Sequence, residues 1–129
     1  MTDRLYKTIE LENNQTLEIY DASRKIAADA YVVTMKAQME VLINKTLFVT
    51  QPVADTKLAD IRAILGDRIV YNYKIERNMI MADEKDAVME NLVETFINNT
   101  GQYVCKSRFP EKLVLKEYRE RIEKKNKYR

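Results

Sequence analysis

The stretch AYVVTMKAQMEVLI, residues 30–43, decides the fold of this chain. Its odd positions are apolar throughout, from Tyr31 to Ile43. Successive side chains of a strand point to opposite faces of a sheet, so this alternation predicts one long strand with a buried face and a solvated face. The solvated face is expected to carry the middle even positions, which are Thr34, Lys36, Gln38 and Glu40.

Two shorter stretches before it, residues 7–12 and 16–20, alternate in the same way and predict a hairpin. A three-residue loop at 13–15 sets Leu11 opposite Leu17 and Ile9 opposite Ile19, which keeps the apolar side chains on one face. Such loops need a residue with left-handed backbone angles, and asparagine tolerates that conformation.

A fourth strand is predicted at residues 68–79, where the odd positions again carry the larger apolar side chains. Residues 21–29 are interpreted as a polar connection that holds a helical turn or a wide bulge. Residues 102–106 are interpreted as a short link or an edge strand.

Three helices are predicted, at residues 55–65, 83–99 and 110–126. The first begins with Asp55 as its N-cap and ends at Gly66, and the second begins at Asp83 and ends before Gly101. The second carries a broad apolar stripe, which suits it to cover the sheet.

The chain is therefore expected to be a single α+β domain, residues 1–129, with a bent antiparallel meander of about four strands. The long helix at 83–99 packs on one face of the sheet, and the short helix and the charged C-terminal helix complete the domain.

The residue inventory argues against an enzyme. The sequence has no histidine, one cysteine and two glycines. Histidine-based catalytic and metal sites, cysteine-rich zinc sites and glycine-rich phosphate loops are therefore excluded within the chain. We predict no catalytic residues, no cofactor and no metal. Lys106 and Arg108 lie near Cys105 and could activate its thiol, but the preferred interpretation is a small buried side chain.

Aromatic and methionine side chains occupy odd positions of the two long predicted strands, and a further methionine lies on the helix expected to cover that face. They are interpreted first as core, and alternatively as the lining of an apolar pocket between sheet and helix for a small ligand. The members are Tyr31, Met35, Met39, Tyr71, Tyr73, Met79 and Met89.

The charge of the chain is concentrated at its C-terminal end. Residues 106–129 hold ten basic and four acidic side chains, a net charge of +6, whereas the whole chain has a net charge of +2. A solvated helix with Glu-to-Lys/Arg pairs four residues apart explains the pattern. The alternative is a basic surface for nucleic acid or an acidic partner, made of Lys112, Lys116, Arg119, Lys124, Lys125, Lys127 and Arg129.

The leading functional hypothesis is a non-enzymatic binding or assembly protein that forms a homodimer through a strand edge or the C-terminal helix. A protein partner is the next expectation, and nucleic acid is less favoured at a net charge of only +2. No apolar run has the length of a membrane span, so no membrane association is expected. The first ten residues lack the apolar segment of a signal peptide, and one cysteine suits a reducing compartment, so we expect the cytoplasm.

Overall fold

The computed structural model describes residues 3–48 and 52–127, which form an open antiparallel sheet and several helices. The predicted α+β class is confirmed, with five strands where about four were expected. The strands are β1 (Arg4–Glu10), β2 (Thr16–Asp21), β3 (Arg24–Ala27), β4 (Ala30–Leu42) and β5 (Arg68–Met81). The α-helices are α1 (Asp55–Leu65), α2 (Lys85–Asn98), α3 (Thr100–Val104) and α4 (Phe109–Lys127), and a short 3₁₀ helix spans Lys45–Leu47.

The long predicted strand, β4, lies at the centre of the sheet. β2 and β3 pair with successive parts of one side of β4, and β1 pairs with β2. β5 pairs along the other side, from Arg68 opposite Leu42 to Met81 opposite Ala30. Within the described residues, the sheet therefore ends at β1 and β3 on one side and at β5 on the other.

The odd face of β4 forms the core, as its alternation predicted. Its odd residues from Val33 to Val41 are buried, and they join buried residues of β2 and the helices in one cluster. α2 contributes the stripe Met89, Leu92, Val93 and Phe96. On the opposite face, Lys36 and Gln38 are partly exposed and Glu40 is exposed, so this face is open to solvent in the described structure.

The even face departs from its predicted exposure near the start of β4. Thr34 is only 3% exposed, and its polar groups are satisfied there: its Oγ1 donates to Glu76 Oε2 at 3.1 Å and its backbone N–H donates to Ser23 Oγ at 3.0 Å. Val32 is buried as well. Part of the expected polar connection at 21–29 is the strand β3, which pairs Arg24 with Val32 and adds cover at this end of β4.

The hairpin has a three-residue loop, but one residue earlier than predicted. Leu11 and Gln15 are joined by an N–H to carbonyl bond of 2.9 Å, so the loop is residues 12–14. Ile9 consequently pairs with Leu17, not with Ile19. The loop sits here because Asn14 adopts the left-handed conformation, with φ of 66°, that its last position requires.

Met79 lies on the surface, although the alternation of β5 assigned it to the core face. The register between β4 and β5 shifts between Tyr31 and Val33, which inserts an extra residue in β5 opposite this point. Met79 has φ of 55° and is 68% exposed. The bulge reverses the parity of the strand, so Ile80 packs against the core instead.

The helices begin close to their predicted positions. Ala54, not Asp55, is the N-cap of α1, and Gly66 ends that helix with φ of +87°, a conformation that favours glycine. α2 begins after Glu84, so Asp83 lies in the preceding turn and does not cap it.

Residues 102–106 are not an edge strand, because most of them continue the helical path as α3 and the turn after it. The break between α2 and α3 falls at Asn99. Gly101 lies inside α3, where a Cβ would be 3.2 Å from the carbonyl oxygen of Phe96. The glycine thus permits a close approach of the two helices instead of ending the first one.

Candidate interaction surfaces

The outer edge of β5 is the longest unpaired backbone in the described sheet. β5 has 14 residues and, among the strands of residues 3–48 and 52–127, pairs only with β4. The N–H of Ile43 donates to the carbonyl oxygen of Asp67 at 2.8 Å, which makes these two residues a hydrogen-bonded pair. Hydrogen-bonded and non-hydrogen-bonded pairs alternate along an antiparallel ladder. The odd residues 69–77 therefore point their backbone groups at β4, and the even residues 68–76 point theirs outward.

The outward groups of β5 are largely left to solvent in the described structure. Two of its carbonyl oxygens accept side-chain hydrogen bonds, from Asn72 Nδ2 to Val70 O at 3.4 Å and from Arg77 Nη1 to Glu76 O at 3.1 Å. Both accepting residues are even, as the alternation requires. Both bonds join a side chain to a carbonyl group one or two residues away, so the other outward groups of β5 meet no strand among the described residues.

The predicted pocket residues mostly fill the core. Met35, Met39 and Met89 are at most 3% exposed. The tyrosines Tyr31, Tyr71 and Tyr73 pack against the same cluster and are partly exposed. Met79, exposed beyond the bulge, does not join them.

The two tyrosines of β5 are fixed by aromatic contacts. The ring of Tyr71 meets that of Phe109 edge-on with centroids 5.5 Å apart, and Tyr73 lies 4.8 Å from Phe96. Burial, followed by the nearby Tyr73 hydroxyl, raises the pKa of Tyr71. These rings therefore anchor the edge strand to α2 and α4.

An apolar groove of about 360 Å³ lies between the bulged end of β5 and α2. Ile80, Val88 and Leu92 line it, with Arg77 and Glu84 at its borders. Ile80 reaches this position because the bulge turned it to the core face.

The basic residues of α4 do not form one surface. At about 100° per residue, Lys112, Lys116 and Arg119 share a stripe, while Lys124 and Lys125 lie roughly 120° and 220° around from Lys112. All five are exposed. Two acidic side chains, Glu120 and Glu123, border or enter the same stripe. The side chain of Lys127 and the whole of Arg129 lie outside the described residues.

A polar cleft of about 600 Å³ opens at the hairpin end of the sheet. Three carboxylates line it, and each already has a partner: Glu12 accepts from Cys105 Sγ, Glu18 from the Tyr20 hydroxyl, and Glu40 from Arg68 Nη1. In the described part of the chain, acidic, cysteine and histidine side chains do not gather in threes that could hold a metal ion. Of the three, only Glu40 has a cationic partner, while Glu12 and Glu18 accept from neutral donors, so the cleft is an acceptor-rich, acidic surface.

The surroundings of Cys105 do not favour a reactive thiol. Its single S–H has two acceptors within reach, Glu12 Oε1 at 3.6 Å and the carbonyl oxygen of Gln102 at 3.4 Å. Burial raises the pKa of the Cys105 thiol, and the hydrogen bond and negative charge of Glu12 raise it further. The neighbouring Lys106 acts in the opposite direction but is the weaker influence. A raised pKa decreases the fraction of the nucleophilic thiolate, so the surroundings of Cys105 do not activate it.

Comparison with protein families, with curated proteins and with solved structures found no match to this chain. Among the described helices, none combines the length and the apolar character needed to cross a bilayer.

Proposed function

We propose that this protein is a non-enzymatic assembly protein that self-associates by adding a strand at the outer edge of β5. The observation that carries the proposal is the 14-residue edge strand whose outward backbone groups meet no other strand in the described structure. An unpaired strand edge is a template for pairing with another chain, and proteins that avoid such pairing protect their edges.

The outer strands β1 and β5 differ in how well their edges are protected against pairing with another strand. β1 has seven residues, and its register with β2 is interrupted between Leu5 and Lys7. β5 is twice as long and keeps an uninterrupted register from Arg68 to Arg77. The β5 edge is therefore the better platform for strand addition.

The absence of histidine supports the non-enzymatic part of the proposal, and so does the raised pKa of the Cys105 thiol. The cytoplasm belongs to the proposal because a chain with a single cysteine suits a reducing compartment. The alternative of a basic nucleic-acid surface has less support, since the basic residues of α4 are divided among faces. The alternative of an apolar-ligand carrier has less support because Met35, Met39 and Met89 fill the core.

Sedimentation velocity over a concentration series tests self-association. We expect the mass to rise from the 15.2 kDa of one chain toward twice that value as the concentration increases. Strand addition rests on backbone hydrogen bonds and apolar contacts, so the dimer should persist in about 1 M salt, whereas association through α4 charges should weaken steeply. A mass that stays at 15.2 kDa at every concentration contradicts the proposal.

A further inference from the structure

We infer that the strand added at β5 is the β5 of a second copy, running antiparallel about a two-fold axis at Asn72. This inference rests on the proposed function, because it names the partner and register of the same edge. In this register Ile69 lies opposite the partner's Ile75, Tyr71 opposite the partner's Tyr73, and Asn72 opposite its own symmetry mate.

The sequence of the edge is nearly symmetric about that residue. Residues 69–75 read I-V-Y-N-Y-K-I, with isoleucine at both ends, tyrosine on both sides of the centre and asparagine in the middle. An antiparallel pairing of identical strands sets each residue opposite the one at the same distance from the axis. The segment therefore matches its own apolar and aromatic side chains.

The charges just outside this segment are complementary in the same register. Arg68 lies opposite the partner's Glu76, and the symmetry repeats this opposite-charge pair at the other end of the interface. Opposite charges directly across two strands stabilise the pairing, and like charges weaken it. Inside the segment, Val70 lies opposite the alkyl chain of the partner's Lys74.

Neighbouring registers are less favourable. A slide by two residues in one direction sets Arg68 opposite the partner's Lys74, which opposes two positive charges at each end. A slide in the other direction sets Ile69 opposite the partner's Arg77 and Val70 opposite the partner's Glu76. Of these three registers, the one centred on Asn72 alone joins like with like on the apolar face and opposite charges on the polar face.

The backbone and the partly buried side chains fit the same arrangement. The outward N–H and carbonyl groups belong to the even residues of β5, so Asn72 and its mate form a hydrogen-bonded pair on the axis. Ile69, Tyr71, Tyr73 and Ile75 are only partly buried in one copy. The second copy covers their exposed edges and continues the core face of the sheet across the axis.

Engineered cysteines test the register in a Cys105→Ser background, which removes the native thiol. In Asn72→Cys, the two Cα atoms are expected about 5.5 Å apart, within the span of a disulfide, so mild oxidation should give a covalent dimer. The matched control is Lys74→Cys, also exposed on β5. Its thiol lies four residues, about 13 Å along the strand, from the register position of its mate and should remain unlinked.

Each result of the cross-linking experiment is informative. Cross-linking of Asn72→Cys without Lys74→Cys supports the register. Cross-linking of Lys74→Cys alone moves the axis and overturns it. If the protein is a dimer and neither variant cross-links, the inference fails while self-association stands. If the protein is a monomer, the proposed function itself fails.

Proline substitutions test the edge by an independent readout. Asn72→Pro removes an N–H that points away from β4, so the ladder inside the monomer is retained. Thr8→Pro is the matched control on β1, because Leu11 and Gln15 form a hydrogen-bonded pair and the N–H of Thr8 also points outward. We expect dimerisation about tenfold weaker or more for Asn72→Pro and unchanged for Thr8→Pro, with wild-type circular dichroism for both. An unchanged dimerisation constant in Asn72→Pro overturns the inference.

Discussion

Asn13 joins the β1–β2 hairpin to the distant end of α3. Its Nδ2 donates to the carbonyl oxygens of Val104 and Lys106, both at 2.9 Å, while its Oδ1 accepts from the backbone N–H of Gln15 at 3.1 Å. Asn13→Asp keeps the shape of the side chain and the contact with Gln15, but it replaces the amide donor with an anionic oxygen. That oxygen would face two carbonyl oxygens that it cannot bond.

The expected loss of stability follows from these contacts. Each hydrogen bond of this kind contributes about 1 kcal/mol net, so Asn13→Ala, which also loses the bond to Gln15, should lower the free energy of unfolding by about 2–3 kcal/mol. Asn13→Asp should cost about 3 kcal/mol, because two lost bonds are joined by repulsion in a partly buried position. Asn14→Asp is the matched control, because aspartate also tolerates the left-handed backbone at that site.

Urea unfolding followed by circular dichroism measures these changes, and amide hydrogen exchange over residues 100–108 locates them. The α3 amides should lose protection in Asn13→Asp and keep it in Asn14→Asp. If Asn13→Asp unfolds within about 0.5 kcal/mol of the wild type, Asn13 does not anchor the C-terminal segment and the argument is refuted.

Three further predictions concern single contacts. Met79→Gly should raise the free energy of unfolding by about 0.5–1 kcal/mol, since it relieves a left-handed backbone at a side chain that is 68% exposed; an unchanged or lower thermal midpoint would contradict this. Arg108→Ala should lower the free energy of unfolding by about 1–3 kcal/mol, because the Oε2 of the buried Glu111 has no partner among the described residues and its Oε1 lies 3.8 Å from Arg108 Nε. The cost should shrink in a Glu111→Gln background, and a double-mutant cycle with no coupling would argue against the contact. Glu12→Gln should lower the pKa of the Cys105 thiol, because it removes a negative charge that raises this pKa. At about pH 8, roughly half a unit below the usual pKa of a thiol, iodoacetamide should then alkylate the variant faster than the wild type. Equal alkylation rates in the two proteins would exclude the influence of Glu12.

The centre of the fold could be predicted because its sequence signals are long and mutually consistent. The alternation in residues 30–43 continues over thirteen residues of strand, and no helical pattern competes with it. The end of helix α1 could be predicted equally well, because Gly66 occupies a position with a positive φ. In both cases the local pattern and the tertiary contact demand the same side-chain positions.

The misassigned elements are those whose structure depends on distant contacts. β3 has four exposed residues and gains its strand conformation by pairing with the start of β4. The bulge at Met79 has no glycine to mark it, so parity assigned the side chain to the wrong face. Gly101 resembles a helix terminator in sequence, but it serves the close approach to Phe96.

The candidate interaction edge of β5 could be predicted only in part from the sequence, because it too depends on distant contacts. Parity identified Tyr71 and Tyr73 as members of the core face, but it could not say that β5 has an open outer edge. That property belongs to the order of the strands, since a meander can place any terminal strand beside another element. The symmetry of residues 69–75 becomes informative only once β5 is known to be an edge.

The bulge in β5 also determines how long an added strand can be. The register with β4 is regular from Arg68 to Arg77 and shifts beyond it. A pairing centred on Asn72 uses residues 68–76, which is nearly the whole regular segment, and it ends before the backbone turns at Met79. A centre further along the strand would bring the bulge into the ladder, where the extra residue cannot pair. In the proposed dimer the bulge therefore bars registers centred closer to Met79, while the like charges of Arg68 and Lys74 disfavour the register centred on Tyr71.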